Sequence, residues 1–335
     1  MANKLLDVKN LKTYFFLEQG IVRAVDGVSF SLDRGRTLGV VGESGCGKSV
    51  TARSILRLLP HPVARIVDGS IVYHIGEEAV ELTKLDPLGP KIRGIRGNQI
   101  SMIFQEPMTS LNPVYTIGDQ IIEAIVLHRQ VSKQEARQHA IEMLRQVGIP
   151  EPERRVDQYQ HEFSGGMRQR AMIAMALSCS PNLLIADEPT TALDVTIEAQ
   201  ILELIREIQI EQGMALMIIT HDLNVVGEMA DRVIVMYMGK VVEETSVDRI
   251  FDQPRHPYTQ GLLASLPTIG SSARLTSIAG SVPNPYLIPK GCSFAPRCPA
   301  AMDLCRQQQP PTFQIDTDTR AACWLYEGAK EVAHG

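Results

Sequence analysis

The octapeptide Gly42-Glu43-Ser44-Gly45-Cys46-Gly47-Lys48-Ser49 restricts what this chain can fold into more than any other feature. It fits the pattern G-x-x-x-x-G-K-[ST] and follows the short apolar run Thr37-Leu38-Gly39-Val40-Val41. After it, Ala52, Ile55, Leu56 and Leu59 fall on one stripe at i, i+3, i+4 and i+7. A buried strand, a tight loop and a helix are predicted in that order. Glycines let the backbone curl until successive N–H groups point inward at phosphate oxygens, and the helix N-terminus adds partial positive charge. Gly42, Ser44, Gly45, Cys46 and Gly47 are expected to form that cradle. Lys48 is expected to reach the β- and γ-phosphates of a nucleotide, and the Ser49 hydroxyl to ligate magnesium.

Such a loop needs a sheet to carry it. Leu183 to Ala186 and Ala215 to Ile219 are further short apolar runs ending in polar residues, as parallel strands do when they deliver side chains at their C-terminal ends. Ser132 and Glu135 form a capping-box signature ahead of Ala136, Ala140, Met143, Leu144 and Val147, with Gly148 and Pro150 as the stop. A second helix is predicted from Asp194 to Gly213, presenting Ile197, Ile201, Leu204, Ile205 and Ile208. These elements predict an α/β chain with a mainly helical insertion at about residues 106–178, between two halves of one sheet.

The 335 residues are 44% hydrophobic and 21% charged, ordinary globular values that leave room for roughly two domains. A net charge of -5 without a dense Lys/Arg block argues against a nucleic-acid partner. The longest apolar runs, such as Met214 to Ile219, fall far short of the ~20 residues that span a bilayer. Lys4, Asp7, Lys9 and Lys12 make the start unlike a signal peptide, so a cytoplasmic chain is expected. Its six cysteines then lie in a reducing compartment, where structural disulfides are disfavoured.

Seven of the 20 prolines fall between Pro283 and Pro311, and four of the six cysteines between Cys292 and Cys323. Residues 1–250 and 251–335 are therefore expected to be separate domains, the second a small proline-rich module pinned by its cysteines. Cys292, Cys298, Cys305 and Cys323 are spaced C-x5-C-x6-C-x17-C, unlike the paired C-x2-C of common zinc sites. Soft thiolate ligands leave an iron–sulfur centre, zinc, free thiols or disulfides open. Cys46 reads as a small residue tolerated in the loop, the alternative being an oxidisable thiol with a pKa lowered by nearby positive charge. Cys179 reads as core filling.

Asp187, at the end of the run Leu183 to Ala186, is placed to hold magnesium, and Glu188 beside it to polarise an attacking water. Between these acids and the phosphate loop comes Phe163-Ser164-Gly165-Gly166-Met167, followed by Arg168-Gln169-Arg170 and a helical run from Ala171 to Leu177. At this point the chain resembles the nucleotide-binding subunits of ABC transporters, whose signature is L-S-G-G-Q at the head of a helix. Ser164, Gly165 and Gly166 are retained, while Phe163 and Met167 replace the Leu and Gln. Gln105 matches the family's Q-loop, Ala192-Leu193-Asp194 its D-loop and His221 its switch histidine. Phe15, or Tyr14 beside it, matches the aromatic that stacks on adenine. Arg255-His256-Pro257-Tyr258-Thr259, by itself a proline-restricted turn, looks like the start of the extension found in oligopeptide, dipeptide and nickel importer ATPases.

The resemblance implies a P-loop (RecA-like) ABC nucleotide-binding domain with a helical subdomain and a C-terminal extension. It implies hydrolysis of ATP with Mg2+ and catalytic roles for Glu188, His221 and Gln105, with Gln105 also sensing magnesium. ATP held by one chain would be contacted by Ser164 and Gly166 of an opposing subunit, either an identical copy or a related chain. The segment from Glu106 to Pro113 would border the groove for a coupling helix. Two transmembrane permease subunits and an extracytoplasmic substrate-binding protein would complete an importer of dipeptides or short oligopeptides, with this chain peripheral on the cytoplasmic face of the membrane. Some dipeptide-permease ATPases carry a [4Fe–4S] cluster in the region of the four cysteines. A nickel or glutathione importer ATPase, and a soluble ABC-type ATPase with a redox-sensing cluster, are the alternatives.

Overall fold

The computed structural model describes residues 3–76, 78–105, 110–191, 194–266 and 278–332. The chain forms two compact units: one of Met1–Leu32, Thr37–Lys84 and Thr220–Gly335, the other of Asp33–Arg36 and Leu85–Ile219.

The first unit begins with two long strands, β1 (Lys4–Leu17) and β2 (Gly20–Asp33), and β3 (Thr37–Val41) follows. With β4 (Ala64–Ile75) and β5 (Glu78–Glu81), the first two make a sheet of order β2-β1-β4-β5. β1 runs antiparallel to β4, with Leu6 opposite Tyr73 and Phe15 opposite Ala64. The register slips between Lys9 and Thr13, and the buried face moves from Leu6 and Val8 to Leu11 and Thr13. One extra residue on β1 before Lys12, offset by one on β4 after it, accommodates this change of phase and lets Leu11 and Thr13 be buried.

In the same unit β3 lies parallel to β9 (Arg232–Tyr237), with Leu38 opposite Arg232 and Val41 opposite Val235. β9 reverses into β10 (Lys240–Ser246) through Met238 and Gly239, at φ 44° and 77°. Two left-handed residues give the turn a twist that matches the flanking strands. Two-residue strands then extend the edge beyond β10: β12 (Arg320–Ala321) pairs with it, β11 (Phe313–Gln314) with β12, and β13 (Lys330–Glu331) with β11.

The C-terminal stretch is thus not the self-standing, cysteine-pinned module expected from its composition. Tyr258 and Phe294 are buried in one cluster with Val41, Val235 and Tyr237 of the β3–β9 pair. Ring centroids of Tyr237, Tyr258 and Phe294 lie 4.7–5.3 Å apart. The proline-rich chain borrows this core because it has too few apolar residues to build its own. Arg255-His256-Pro257 is a helix start rather than a bare turn. His256 caps the helix Pro257–Ala264, accepting the Tyr258 amide at Nδ1 (3.0 Å), and the Pro occupies the first turn. The buried Glu243 carboxylate accepts the amides of Arg255 and His256, each at 2.8 Å.

The second unit holds the parallel strands β6 (Ile100–Ile103), β7 (Leu183–Asp187) and β8 (Ala215–Thr220), with Ile185 opposite Met102 on one side and Met217 on the other. Every residue of the three strands is buried, which is why they read as unbroken apolar runs. Between β6 and β7 come the helices Ile117–His128, Lys133–Gln146, Pro152–Arg155 and Gly165–Leu177. Ser132 and Glu135 form both halves of the capping box. Asp194 caps the helix Val195–Gln212, and Gly213 closes it at φ 62°. Among the described residues no helix is long and apolar enough to cross a membrane.

Candidate nucleotide site

The phosphate loop leaves β3 and enters the helix Lys48–Ile55 through Gly47 at φ 104°. A Cβ on Gly47 would lie 2.1 Å from the Ala24 carbonyl oxygen, and one on Gly42, at φ 151°, 2.2 Å from that of Met236. Both contacts are with backbone that cannot move aside, so the motif glycines are required here by space as well as by dihedral angle. Lys48 is 5% exposed, and its Nζ donates to the carbonyls of Gly42 at 2.7 Å and Glu43 at 3.2 Å. Its remaining hydrogen faces only the Cys46 sulfur, at 3.9 Å. The ammonium is held folded over the loop, the position from which it can meet a phosphate oxygen. Ser44 and Gly45 lie on the curl, and Ser49 is the second residue of the helix. That helix is shorter than its apolar stripe: Arg57 takes φ 56°, and Leu59 falls beyond the end. Cys46 is buried, and desolvation raises its thiol pKa despite Lys48, so the oxidisable reading of this cysteine gives way to the packing one.

In the second unit the Asp187 carboxylate ends β7 and is 1% exposed. Hard oxygen donors such as this carboxylate and the Ser49 hydroxyl suit magnesium. Glu188 follows at φ 49°, a left-handed conformation rarely adopted by a side-chain-bearing residue. Its amide donates to the Ile219 carbonyl at 2.8 Å, and its Oε2 accepts Gln105 Nε2 at 2.8 Å and Thr191 Oγ1 at 2.9 Å. The strained backbone turns the carboxylate out of the strand towards Gln105. Gln105 and Glu188, 83 residues apart in sequence, are therefore brought together. His221 is exposed just past the end of β8, two residues beyond Ile219, the strand partner of Asp187.

Ser164 caps the signature helix Gly165–Leu177, its Oγ accepting the Met167 amide at 3.3 Å. A Cβ on Gly165 would meet nothing within 4 Å, whereas one on Gly166 would lie 3.2 Å from Ile197 Cγ2. Phe163 is buried, so an aromatic in place of Leu is accommodated by the core. The Gln169 side chain, also buried, donates to the Pro189 carbonyl and ties this helix to the segment after Glu188. Asp194 Oδ1 accepts the amides of Thr196 and Ile197, both at 3.1 Å. Ala192 and Leu193 of the D-loop, and residues 106–109, lie outside the described residues. On β1, the Tyr14 hydroxyl donates to Asp26 at 2.7 Å, and the Arg23 guanidinium carbon lies 5.5 Å from the Tyr14 ring centroid. Phe15 next to it is half-buried.

All six cysteines are unpaired. Cys292, Cys298, Cys305 and Cys323 line one small pocket with Phe294 and Trp324. Burial, with the mutual repulsion of the sulfurs as thiolates, pushes the Cys323 pKa up to about 11 and raises those of Cys292 and Cys298. Thiolates in such a place call for a cation, so the donor chemistry fits a metal centre. Even so, among the described residues no group of three or more His, Cys, Asp or Glu side chains is arranged to hold a metal ion.

Two features of the site have no signal in the sequence pattern. Thr191 shares Glu188 with Gln105, and Tyr258 and Arg297 reach the phosphate loop at Glu43. A threonine near an acid, or an arginine 254 residues away, carries no motif.

The family model described as ABC transporter matches residues 25–191, and that of the oligopeptide/dipeptide transporter C-terminal region matches 242–305. A probable peptide ABC transporter ATP-binding protein of Sinorhizobium fredii, y4tR, is 54% identical over 96% of this chain and 95% of its own. The oligopeptide transport ATP-binding protein AppD of Bacillus subtilis is 53% identical over 96% and 97%. The dipeptide transport ATP-binding protein DppD of the same organism is 52% identical over 98% and 97%. Among solved structures, the ATP-binding cassette MJ0796, a dimer in a post-hydrolysis state bound to ADP and Pi, superposes with a TM-score of 0.63 at 27% identity over 72% of this chain and 98% of its own.

Proposed function

The chain belongs to the ABC transporter family, and on that premise we propose that it is the ATP-hydrolysing subunit of a membrane importer of dipeptides or short oligopeptides. The C-terminal match and the peptide-transport relatives support this substrate class over nickel or glutathione. The observation that carries the hydrolytic reading is the Glu188 carboxylate, turned out of β7 next to the buried Asp187 and held by Gln105.

Lys48 and the amides of Ser44 to Ser49 bind the triphosphate. Ser49 and Asp187 would hold magnesium, which would supply positive charge against that of the phosphates. Glu188 takes the proton of the attacking water, Gln105 orients the Glu188 carboxylate, and His221 donates towards the γ-phosphate from the end of β8. Phe15 stacks on the adenine. Ser164, Gly165 and Gly166 of one subunit close the site of the other, and Asp194 borders that contact. The dimeric MJ0796 cassette supports two such half-sites.

The second ATPase, an identical copy or a related chain, docks with this one beneath two permease subunits on the cytoplasmic face, supplied by an extracytoplasmic substrate-binding protein. Cys292, Cys298, Cys305 and Cys323 are proposed ligands of a [4Fe–4S] cluster, supported by their convergence on one pocket. The transporter, reconstituted in vesicles with its binding protein, tests the assignment. ATP hydrolysis stimulated by di- to pentapeptides, with peptide uptake, is expected; stimulation by nickel or glutathione alone would overturn it.

A further inference from the structure

Glu43 is the one acidic residue of the phosphate loop, and a free carboxylate there would repel a triphosphate. It is not free. Arg297 grips it with both ends of its fork, Nη1 to Oε2 at 2.6 Å and Nη2 to Oε1 at 2.9 Å. The Arg297 side chain is 4% exposed. Its Nε donates to the Ala279 carbonyl at 3.1 Å, and the rings of Tyr237 and Phe294 lie 5.9 and 6.0 Å from the guanidinium carbon. The backbone of Glu43 is fixed as well. Its amide donates to the hydroxyl of the fully buried Tyr258 at 2.8 Å, and its carbonyl accepts Lys48 Nζ at 3.2 Å. Two of these three constraints come from residues more than 200 positions downstream. A bidentate ion pair with a buried guanidinium and a partly exposed carboxylate is a geometry in which such a bond is strong, and contacts to the Ala279 carbonyl and the Tyr237 hydroxyl hold the guanidinium in place.

We propose that Arg297 and Tyr258 are positioning residues of the phosphate loop: through Glu43 they cancel its negative charge and hold the loop, with Lys48, in the form that binds the triphosphate. The C-terminal extension then takes part in nucleotide binding without touching the nucleotide. The turn from Cys292 to Cys298 that bears Arg297 also contributes Cys292, Phe294, Ala295 and Cys298 to the lining of the four-cysteine pocket.

The inference rests on the ATPase reading of the same loop, and Lys48→Ala separates the two: ATP turnover surviving Lys48→Ala removes the reading itself. In the purified transporter, Arg297→Gln is expected to raise KM for ATP about tenfold or more while kcat at saturating ATP stays within about threefold. Adding Glu43→Gln removes the uncompensated carboxylate, and the double variant is expected to recover most of the affinity lost. A purely structural role predicts instead that the two losses add. Tyr258→Phe, which deletes one hydroxyl from an intact core, keeps the test readable if Arg297→Gln fails to fold, and is expected to raise KM by about threefold or more. An unchanged KM in Arg297→Gln or in Tyr258→Phe, or no recovery in the double variant, overturns the proposal.

Discussion

Gln105 and Thr191 donate to the same oxygen of Glu188, Oε2, at 2.8 and 2.9 Å. A glutamine side chain at position 188 could accept both donors through its amide oxygen without accepting a proton. Glu188→Gln is therefore expected to bind ATP within about threefold of the parent while losing roughly 10²–10⁴ in turnover. Nucleotide affinity and phosphate release, measured on the same preparation, check this; sustained hydrolysis would remove Glu188 from its role.

Gly165 heads the signature helix, and among the described residues beyond its chain neighbours and its own helix backbone nothing lies within 4 Å of where a Cβ would sit. Gly165→Ala should leave the melting temperature unchanged or raised, since Ala is favoured over Gly in a helix by roughly 0.8–1 kcal/mol. In the proposed two-half-site arrangement the added methyl would meet the opposing subunit's nucleotide, and turnover should fall at least about tenfold with ATP affinity of the isolated chain preserved. A variant that hydrolyses normally in the assembled transporter contradicts the two-half-site arrangement.

His256 is fully enclosed, and desolvation lowers its pKa from 6.5 to about 3. Unfolded, the same imidazole takes up a proton near pH 6.5, so the unfolded state binds more protons between these values. The stability it contributes is complete above pH 6.5 and declines as pH falls towards 3, by at most about 1.4 kcal/mol per pH unit. Melting temperatures from pH 7.5 to 5 should drop more steeply for the parent than for His256→Asn, which can still cap the helix Pro257–Ala264. Parallel curves would exclude His256 as the source.

The four-cysteine pocket gives an analytical prediction. Protein purified without oxygen should contain iron and acid-labile sulfide in about equal amounts and absorb near the visible charge-transfer range of such centres. Cys298→Ser should lose both, together with part of its thermal stability. Zinc in stoichiometric amount, or a colourless protein without metal, would replace the cluster with another of the chemistries open to these thiols.

The phosphate loop was legible because its glycines, lysine and helix start are contiguous in sequence, although the carbonyls that force the glycines, of Ala24 and Met236, are distant in it. The buried strands β3, β7 and β8 were legible for a related reason, since side chains covered on both faces leave unbroken apolar runs. β1 and β2 were not, because the irregularity between Lys9 and Thr13 interrupts the alternation that marks a strand. Composition was misleading in the C-terminal stretch. The two-residue strands β11, β12 and β13 are too short to carry a period, and they are added in turn to the edge of β10 through β12. The approach of Gln105 to Glu188 followed only from the order of family motifs. That of Arg297 to Glu43 followed from nothing in the sequence, since an ion pair spanning 254 residues leaves no periodic trace.

The aromatic trio of Tyr237, Tyr258 and Phe294 determines where this polypeptide can be cut. A shortened catalytic core ending after Asp252 would retain every motif residue, yet Val41 and Tyr237 would face solvent directly beneath the loop. Expression boundaries or chimeras drawn from motif positions alone would therefore uncover buried apolar side chains. Exchanging tails between transporters requires transplanting the sockets that receive them.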